Sequence, residues 1–351
     1  MTASTSGGPV RVVGPFPPPM HGAARVTADV AERLAGRSAR PLVRVDTNDD
    51  AGLARRLVRL VRGLLVVLVG APGRGSLYVG GAGGELVWYQ ALLVLLARVT
   101  RRPAAYHHHN YSYLHERSAA MAALVRCGGP RLVHVVLGDV MAARLQELYP
   151  GAARVLTCSN AGLMSPVPPG DAPVGGAFVL GHLSNLSLEK GLADVVASLD
   201  RALDAGLDAR LLLAGPCSSP EAQALVDDVV RRHPDRVAAP GRLDGPAVDA
   251  FYRDIDLFVF PSTYVNEAEP LVVLDALRHG VPAVAYDTGC LQELVEPGHL
   301  VRVGDDLPAA VVEAVRGAGP DDAERARRRF EQRRDAALVA HEQLLEVLAP
   351  R

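Results

Sequence analysis

Short apolar, β-branched runs alternate along the chain with longer stretches whose apolar residues recur every three to four positions. This is the pattern of parallel α/β units: a strand buried on both faces reads as a continuous hydrophobic run, and the helix returning the chain reads as amphipathic. A first series predicts strands in RVVGPF (11–16), LVRVDT (42–47), SLYVGG (76–81), PAAYHHH (103–109), LVHVVLG (132–138) and RVLTCSN (154–160). A second predicts strands in AFVLGHLS (177–184), ARLLLAGP (209–216), LFVFPS (257–262) and PAVAYDT (282–288). Between them, SPVPPGDAPVGG (165–176) packs four prolines and three glycines into twelve positions and can continue neither helix nor ladder. The expectation is an N-terminal domain over 1–165, a linker over 166–176 and a C-terminal domain over 177–320. Residues 321–351 would hold a long closing helix, acidic at its start, packing back on the N-terminal domain.

Two doubly wound parallel sheets joined by one linker would face each other across a cleft. Ligands bind such sheets beyond the strand C-termini, where loops and helix N-termini meet. Chemistry should therefore be sought just after strands.

Composition narrows the class. With 351 residues, 49% hydrophobic and 22% charged, the chain can bury a substantial core in about two domains. No apolar run reaches the roughly 18 residues of a membrane span, and MTASTSGGPV lacks the pattern of a secretory signal, so a cytoplasmic location is expected. Four widely spaced cysteines without a C-x-x-C pair read as reduced thiols. Net charge is −2, unevenly divided: residues 1–150 hold 18 arginines against 9 acidic residues, and the remainder 19 basic against 30 acidic. The basic part favours an anionic ligand or membrane surface. No nucleic-acid partner is expected.

Lys190 is the chain's one lysine among 37 basic residues. It lies in HLSNLSLEKGLADV (182–195), after a strand and before a helix, where helix amides and a compact ammonium both suit phosphate. In FPSTYVNEAEPLVVLDALRHGVPAVAYDTG (260–289), Glu267 precedes a helix starting near Pro270, with Asp275 eight positions further on. This is a good helix start in its own right. It also leaves amides around Pro270 and Leu271 for a diphosphate, Glu267 for sugar hydroxyls and Asp275 for a ribose.

SLEKG, LLLAGP, FYRDIDLFVFPS, EAEPLVVLDAL and HGVPAVAYDTG, in that order and spacing, resemble the donor-binding half of family 4 glycosyltransferases, which have the GT-B fold. GPFPPPMHGAARVTADVAERL and VLTCSNAGL resemble the opening and closing segments of that family's N-terminal half. The resemblance implies retaining transfer from a nucleotide diphosphate sugar without metal or bound cofactor. Lys190 would contact the donor phosphates, Glu267 the transferred sugar and Asp275 the ribose. The chain departs from the family at Asn185, where many members have arginine, at Asp275, where the family usually has Glu, and at His21, which replaces one of two loop glycines and leaves Gly22 to approach the diphosphate.

AAYHHHNYSYLHERS (104–118) concentrates histidines. A strand sends His107 and His109 to one face and His108 to the other, which argues against a three-histidine metal site. His109 aligns with a family histidine near the reacting sugar, so the resemblance implies an orienting or general-base role; His21, His107 and His108 are expected on the acceptor side. The acceptor would be a glycan, a lipid-linked saccharide or a small molecule. RRLVRLVRGLLVVLVG (55–70) reads as a basic amphipathic helix, able to cover a sheet or to lie on an anionic membrane. YVGGAGGELVWYQALL, from Tyr78, offers a dinucleotide-site rival, but lacks the G-x-G-x-x-G spacing and an acidic residue about 20 positions on. Other readings of the same fold are a sugar-nucleotide epimerase, hydrolase or phosphorylase, and a non-catalytic sugar-nucleotide binding protein.

Overall fold

A computed structural model describes residues 8–18, 22–37, 39–48, 52–168 and 176–350. The chain divides into two compact units, residues 1–164 with 334–351, and residues 165–333.

Unit 1 runs β1 (Val10–Gly14), α1 (Gly22–Arg37), β2 (Leu42–Asp46), α2 (Gly52–Leu68), β3 (Ser76–Gly80), α3 (Leu86–Val99), β4 (Ala104–His107), α4 (Ser112–His115), α5 (Ala119–Gly128), β5 (Val133–Val136), α6 (Asp139–Leu148) and β6 (Arg154–Thr157). All pairings are parallel, in the order β2-β1-β3-β4-β5-β6. The inner strands β1, β3, β4 and β5 are buried at every position, whereas the edge strands β2 and β6 are not. That is why the inner strands read as unbroken apolar runs.

Unit 2 runs β7 (Phe178–Leu183), α7 (Leu192–Asp204), β8 (Ala209–Ala214), α8 (Pro220–Arg232), β9 (Val237–Gly241), α9 (Pro246–Arg253), β10 (Leu257–Phe260), α10 (Leu271–His279), β11 (Ala283–Tyr286), β12 (Leu300–Val301), α11 (Leu307–Arg316) and α12 (Asp322–Leu348), the last of these only as far as Arg333. Its parallel sheet has the order β12-β11-β10-β7-β8-β9. Strands β9 and β12 are absent from the sequence expectation. β9, VAAPG, is an exposed edge strand that tolerates a proline, and β12 has two residues, so neither carries a buried apolar run.

The final turns of α12 belong to unit 1. Leu344, Leu345 and Leu348 join Val12, Val30, Leu34 and Tyr78 in its core. Arg37 pairs with Glu342 and Glu346 at 2.5 Å each, and Ser76 Oγ donates to the Leu348 carbonyl at 2.5 Å.

In each sheet the strand order reverses once: between β1 and β3 in unit 1, and between β7 and β10 in unit 2. At such a point the loops leaving the two strands diverge and open a crevice at the carboxyl edge of the sheet.

Candidate functional site

The loops leaving β7 and β10 carry the principal sequence-predicted residues of unit 2. After β7 the chain turns so that the Lys190 N–H reaches the Ser187 carbonyl at 3.2 Å and the Ser187 Oγ at 3.1 Å. Gly191 follows at φ 77°, and a Cβ there would lie 2.2 Å from the Pro261 carbonyl oxygen. Only glycine lets the two loops approach so closely. The Thr263 N–H donates to the Glu189 carbonyl at 2.9 Å, tying them together.

This approach brings Lys190 and Glu267, 77 positions apart in sequence, into contact: Lys190 Nζ donates to Glu267 Oε2. The side chains keep 22% and 13% exposure, so both charges are largely but not wholly withdrawn from water. Ser262 Oγ donates to the same carboxylate oxygen at 3.3 Å. The ammonium stands 4.6 Å from the centroid of the Tyr264 ring. Such a contact favours a cation over an aromatic face. Gly289, at φ 56°, packs against the backbone of the Glu267 loop, where a Cβ would meet the carbonyl oxygens of Glu267 and Ala268 at 2.5 Å each.

Below the pair, His182 bonds the Val259 carbonyl through Nδ1 and Ser184 Oγ through Nε2, both at 2.8 Å. Burial, opposed in part by the Val259 carbonyl and reinforced by Lys190, lowers its pKa to about 4. His182 is therefore a neutral spacer between β7 and β10, and the sequence did not single it out.

Pro270 is the N-cap of α10 and offers no side-chain cap. Its carbonyl accepts from the N–H groups of Val273 and Leu274, while those of Leu271 and Val272 make no hydrogen bond among the described residues. A helix start with two such N–H groups is suited to an anion. The helix thus starts at Pro270 and Leu271, where the sequence reading expected it.

Asp275 lies on α10 with its carboxylate 8% exposed, and its Oδ1 accepts from Arg278 Nε at 2.7 Å. The expected ribose acceptor already serves an ion pair. Asn185 is exposed in the turn after β7. Glu269, passed over in the sequence reading, is a buried structural charge: its Oε1 binds Arg333 Nε at 2.7 Å, and Arg333 also reaches Glu293 at 2.8 Å. Burial works to lower the Arg333 pKa, but the two carboxylates outweigh it and the value is raised. Contacts spanning 64 and 40 positions leave no local signal.

Unit 1 uses its histidines differently. His107 and His108 are fully buried. His107 Nδ1 shares a hydrogen bond with the Tyr78 hydroxyl at 2.7 Å, and its ring packs 4.2 Å from that of His109. On the other side of the strand, His108 meets the Tyr113 hydroxyl at 2.9 Å and His134 at 3.1 Å. Burial first, then neighbouring histidines, pushes the pKa of His107 and His108 well below the usual value. The expectation that both rings face an acceptor is corrected: they are neutral interior groups, because the end of β4 at His107 and the residue just past it, His108, are both fully buried. His109, just past β4, is half-buried and remains the member of the trio with surface access. Gly22 opens α1 and is exposed. His21 lies outside the described residues.

The glycine-rich turn after β3 is sewn closed by Gln90, whose side chain accepts from the Ala82 N–H at 3.1 Å and donates to the Gly80 carbonyl at 3.0 Å. The Ala82 N–H that a dinucleotide reading would give to a phosphate is spent internally. Among the described residues, no group of three or more His, Cys, Asp or Glu side chains is placed to hold a metal ion.

The chain is similar over 97% of its length to 99% of the crystal structure of Anabaena HepE in complex with UDP, with a TM-score of 0.70 at 19% identity. The fold is GT-B. Residues 177–318, which hold the Lys190–Glu267 pair and α10, match the family model of glycosyl transferases group 1. Over 117 residues, 33% of this chain, it is 32% identical to glycogen synthase of Halorhodospira halophila. Over 136 residues, 38% of this chain, it is 31% identical to N-acetyl-alpha-D-glucosaminyl L-malate synthase of Bacillus anthracis. These matches span 24% and 34% of the two curated relatives.

Proposed function

We propose that this chain is a glycosyltransferase that moves a sugar from a nucleoside diphosphate sugar, bound by unit 2, to an acceptor hydroxyl bound by unit 1, with retention of anomeric configuration and without a metal ion. The observation that carries the reading is the Lys190–Glu267 contact at the strand-order reversal of unit 2, in a unit that also offers the unspent N–H groups of Leu271 and Val272. The match of residues 177–318 to group 1 glycosyltransferases supports it, as does the likeness to HepE, which has been solved with UDP-glucose.

The demanding step is departure of the nucleoside diphosphate from the anomeric carbon, which places negative charge on the leaving phosphate oxygen. An ammonium has three N–H donors, and Glu267 takes one. The others are left for phosphate oxygens, and the N–H groups at the start of α10 add fixed dipoles. Groups oriented in advance stabilise such charge without reorganising at the moment of reaction. Glu267 holds Lys190 in place and offers its carboxylate to sugar hydroxyls. His109 orients the sugar or acceptor. Asp275 reaches the ribose through a carboxylate already shared with Arg278.

The test is a thermal-shift screen of nucleoside diphosphate sugars, since a ligand that binds only the folded state raises the melting temperature. Product analysis with and without an acceptor then separates transfer from hydrolysis or isomerisation. One donor is expected to stabilise the protein and to release nucleoside diphosphate only when acceptor is supplied. Normal turnover by Lys190→Ala would overturn the proposal.

A further inference from the structure

Helix α2 and the apolar side chains beside it stand apart from the rest of the surface. Of the fourteen large hydrophobic side chains exposed among the described residues, nine fall on α2, on Val69 just after it, or on α3. Val58, Val61, Leu65 and Leu68 recur at three- and four-residue intervals and form one stripe along α2. Trp88, Leu92 and Val99 continue the apolar surface on α3, at exposures of 53%, 41% and 70%. The two helices lie side by side, joined by a 3.0 Å hydrogen bond from the Tyr89 hydroxyl to the Leu60 carbonyl.

The face is rigidly mounted. Arg11 and Arg102, both buried, donate to the last carbonyls of α2 and the turn beyond: Arg11 Nε reaches Val66 at 2.6 Å, and Arg102 Nη2 reaches Val69 at 2.9 Å and Gly70 at 3.1 Å. Guanidinium groups at a helix C-terminus satisfy carbonyls that have no partner within the helix.

Charge indicates what covers the face. Neither α2 nor α3 contains a single acidic residue, whereas together they carry five arginines. Arg55 and Arg62 are exposed along one edge of the stripe and make no ion pair among the described residues. An apolar stripe edged by exposed arginines matches an anionic bilayer: aliphatic side chains enter the acyl boundary, and guanidinium groups bind headgroup phosphates. Tryptophan favours the same interfacial depth. No described helix is long and apolar enough to cross a membrane, so the fit is to a helix lying in the plane of the surface.

We propose that the α2–α3 face docks unit 1 on an anionic lipid surface. This inference does not depend on the donor reading, whose thermal-shift test uses no lipid, so either can fail alone. Trp88 is the chain's one tryptophan and makes the test direct. The full chain is mixed with vesicles of phosphatidylglycerol and phosphatidylcholine in equal parts, and with vesicles of phosphatidylcholine alone, and is followed by co-sedimentation and Trp88 emission. Binding to the mixed vesicles with a blue shift is expected, falling as salt is raised. Arg55→Glu with Arg62→Glu is expected to weaken it at least about 30-fold, and Val58→Asp with Leu65→Asp to abolish it. Circular dichroism melts of both variants verify that they remain folded. Failure of the unaltered chain to bind mixed vesicles, equal binding to both vesicle types, or a lipid-free dimer that buries Trp88 would each overturn the proposal.

Discussion

At the strand-order reversal of unit 2 the departing loops present an ammonium and a carboxylate, both partly open to solvent, and the buried hydroxyl of Ser262 behind them. At the reversal of unit 1 the described residues of those loops are chiefly proline and glycine with Phe16, and His107 and His108, at the carboxyl end of the neighbouring strand β4, are held neutral in the interior. The difference teaches that the topology supplies a crevice but not its chemistry. Where partly exposed opposite charges meet, another charged group can compete for either partner. Where neutral rings pack against tyrosines, the polar groups shape the unit and are consumed in doing so.

Acid should separate the two units most. Buried histidines kept neutral in the folded state gain protons on unfolding, so the unfolded chain binds more protons at pH values between about 4 and 6.5, and stability falls as pH drops through that range. Unit 1 has four such groups, His107, His108, His134 and His341, and unit 2 has His182. Those lowered to about 4 by burial would each cost roughly 3 kcal/mol when fully expressed. Denaturant melts between pH 7.5 and 4.5, with Trp88 reporting on unit 1 and ligand binding on unit 2, are expected to show unit 1 failing first. Loss of unit 2 at a higher pH than unit 1 would break the comparison.

Next in size is the effect of Lys190. On the proposed reading, Lys190→Ala lowers kcat by about 10²–10³-fold, as removal of one preorganised donor does elsewhere. Lys190→Arg is expected to recover less than a tenth of the lost activity, because a planar fork is a different donor from a point charge. Steady-state rates with the donor identified by thermal shift check both. Gly191→Ala is expected to cost on the order of 1–3 kcal/mol and to displace Lys190, because its Cβ would meet the Pro261 carbonyl oxygen at 2.2 Å. A thermal melt alongside kcat reads this out. Smallest is the effect on stability of Val58→Asp with Leu65→Asp, within about 0.5 kcal/mol by chemical denaturation, since these side chains already face solvent.

Much of the fold was legible because parallel sheets bury their inner strands on both faces: the strands expected at 76–81, 103–109 and 132–138 each contain an observed inner strand of unit 1, and the one expected at 11–16 overlaps β1, which starts one residue earlier at Val10. Strands β9 and β12 were not legible, since an edge position demands little of a side chain. At the candidate site, Lys190, Glu267, Pro270 and Leu271 were marked by their places after strands and at a helix start. Glu269 was misjudged by omission and His107 and His108 by placement, because burial and distant partners decide what a carboxylate or imidazole does.

By itself the sequence determined the alternation of strands and helices, the break between the two sheets and the residue types offered at each loop, all of which follow from local periodicity and from what proline and glycine permit. Only the tertiary structure decided that Lys190 meets Glu267 across 77 positions, that two arginines cap α2 from a distant strand and loop, and that an apolar stripe of α2 faces solvent while Val67 is buried. An amphipathic pattern states that one face differs from the other. Which face is covered depends on what the rest of the chain brings against it.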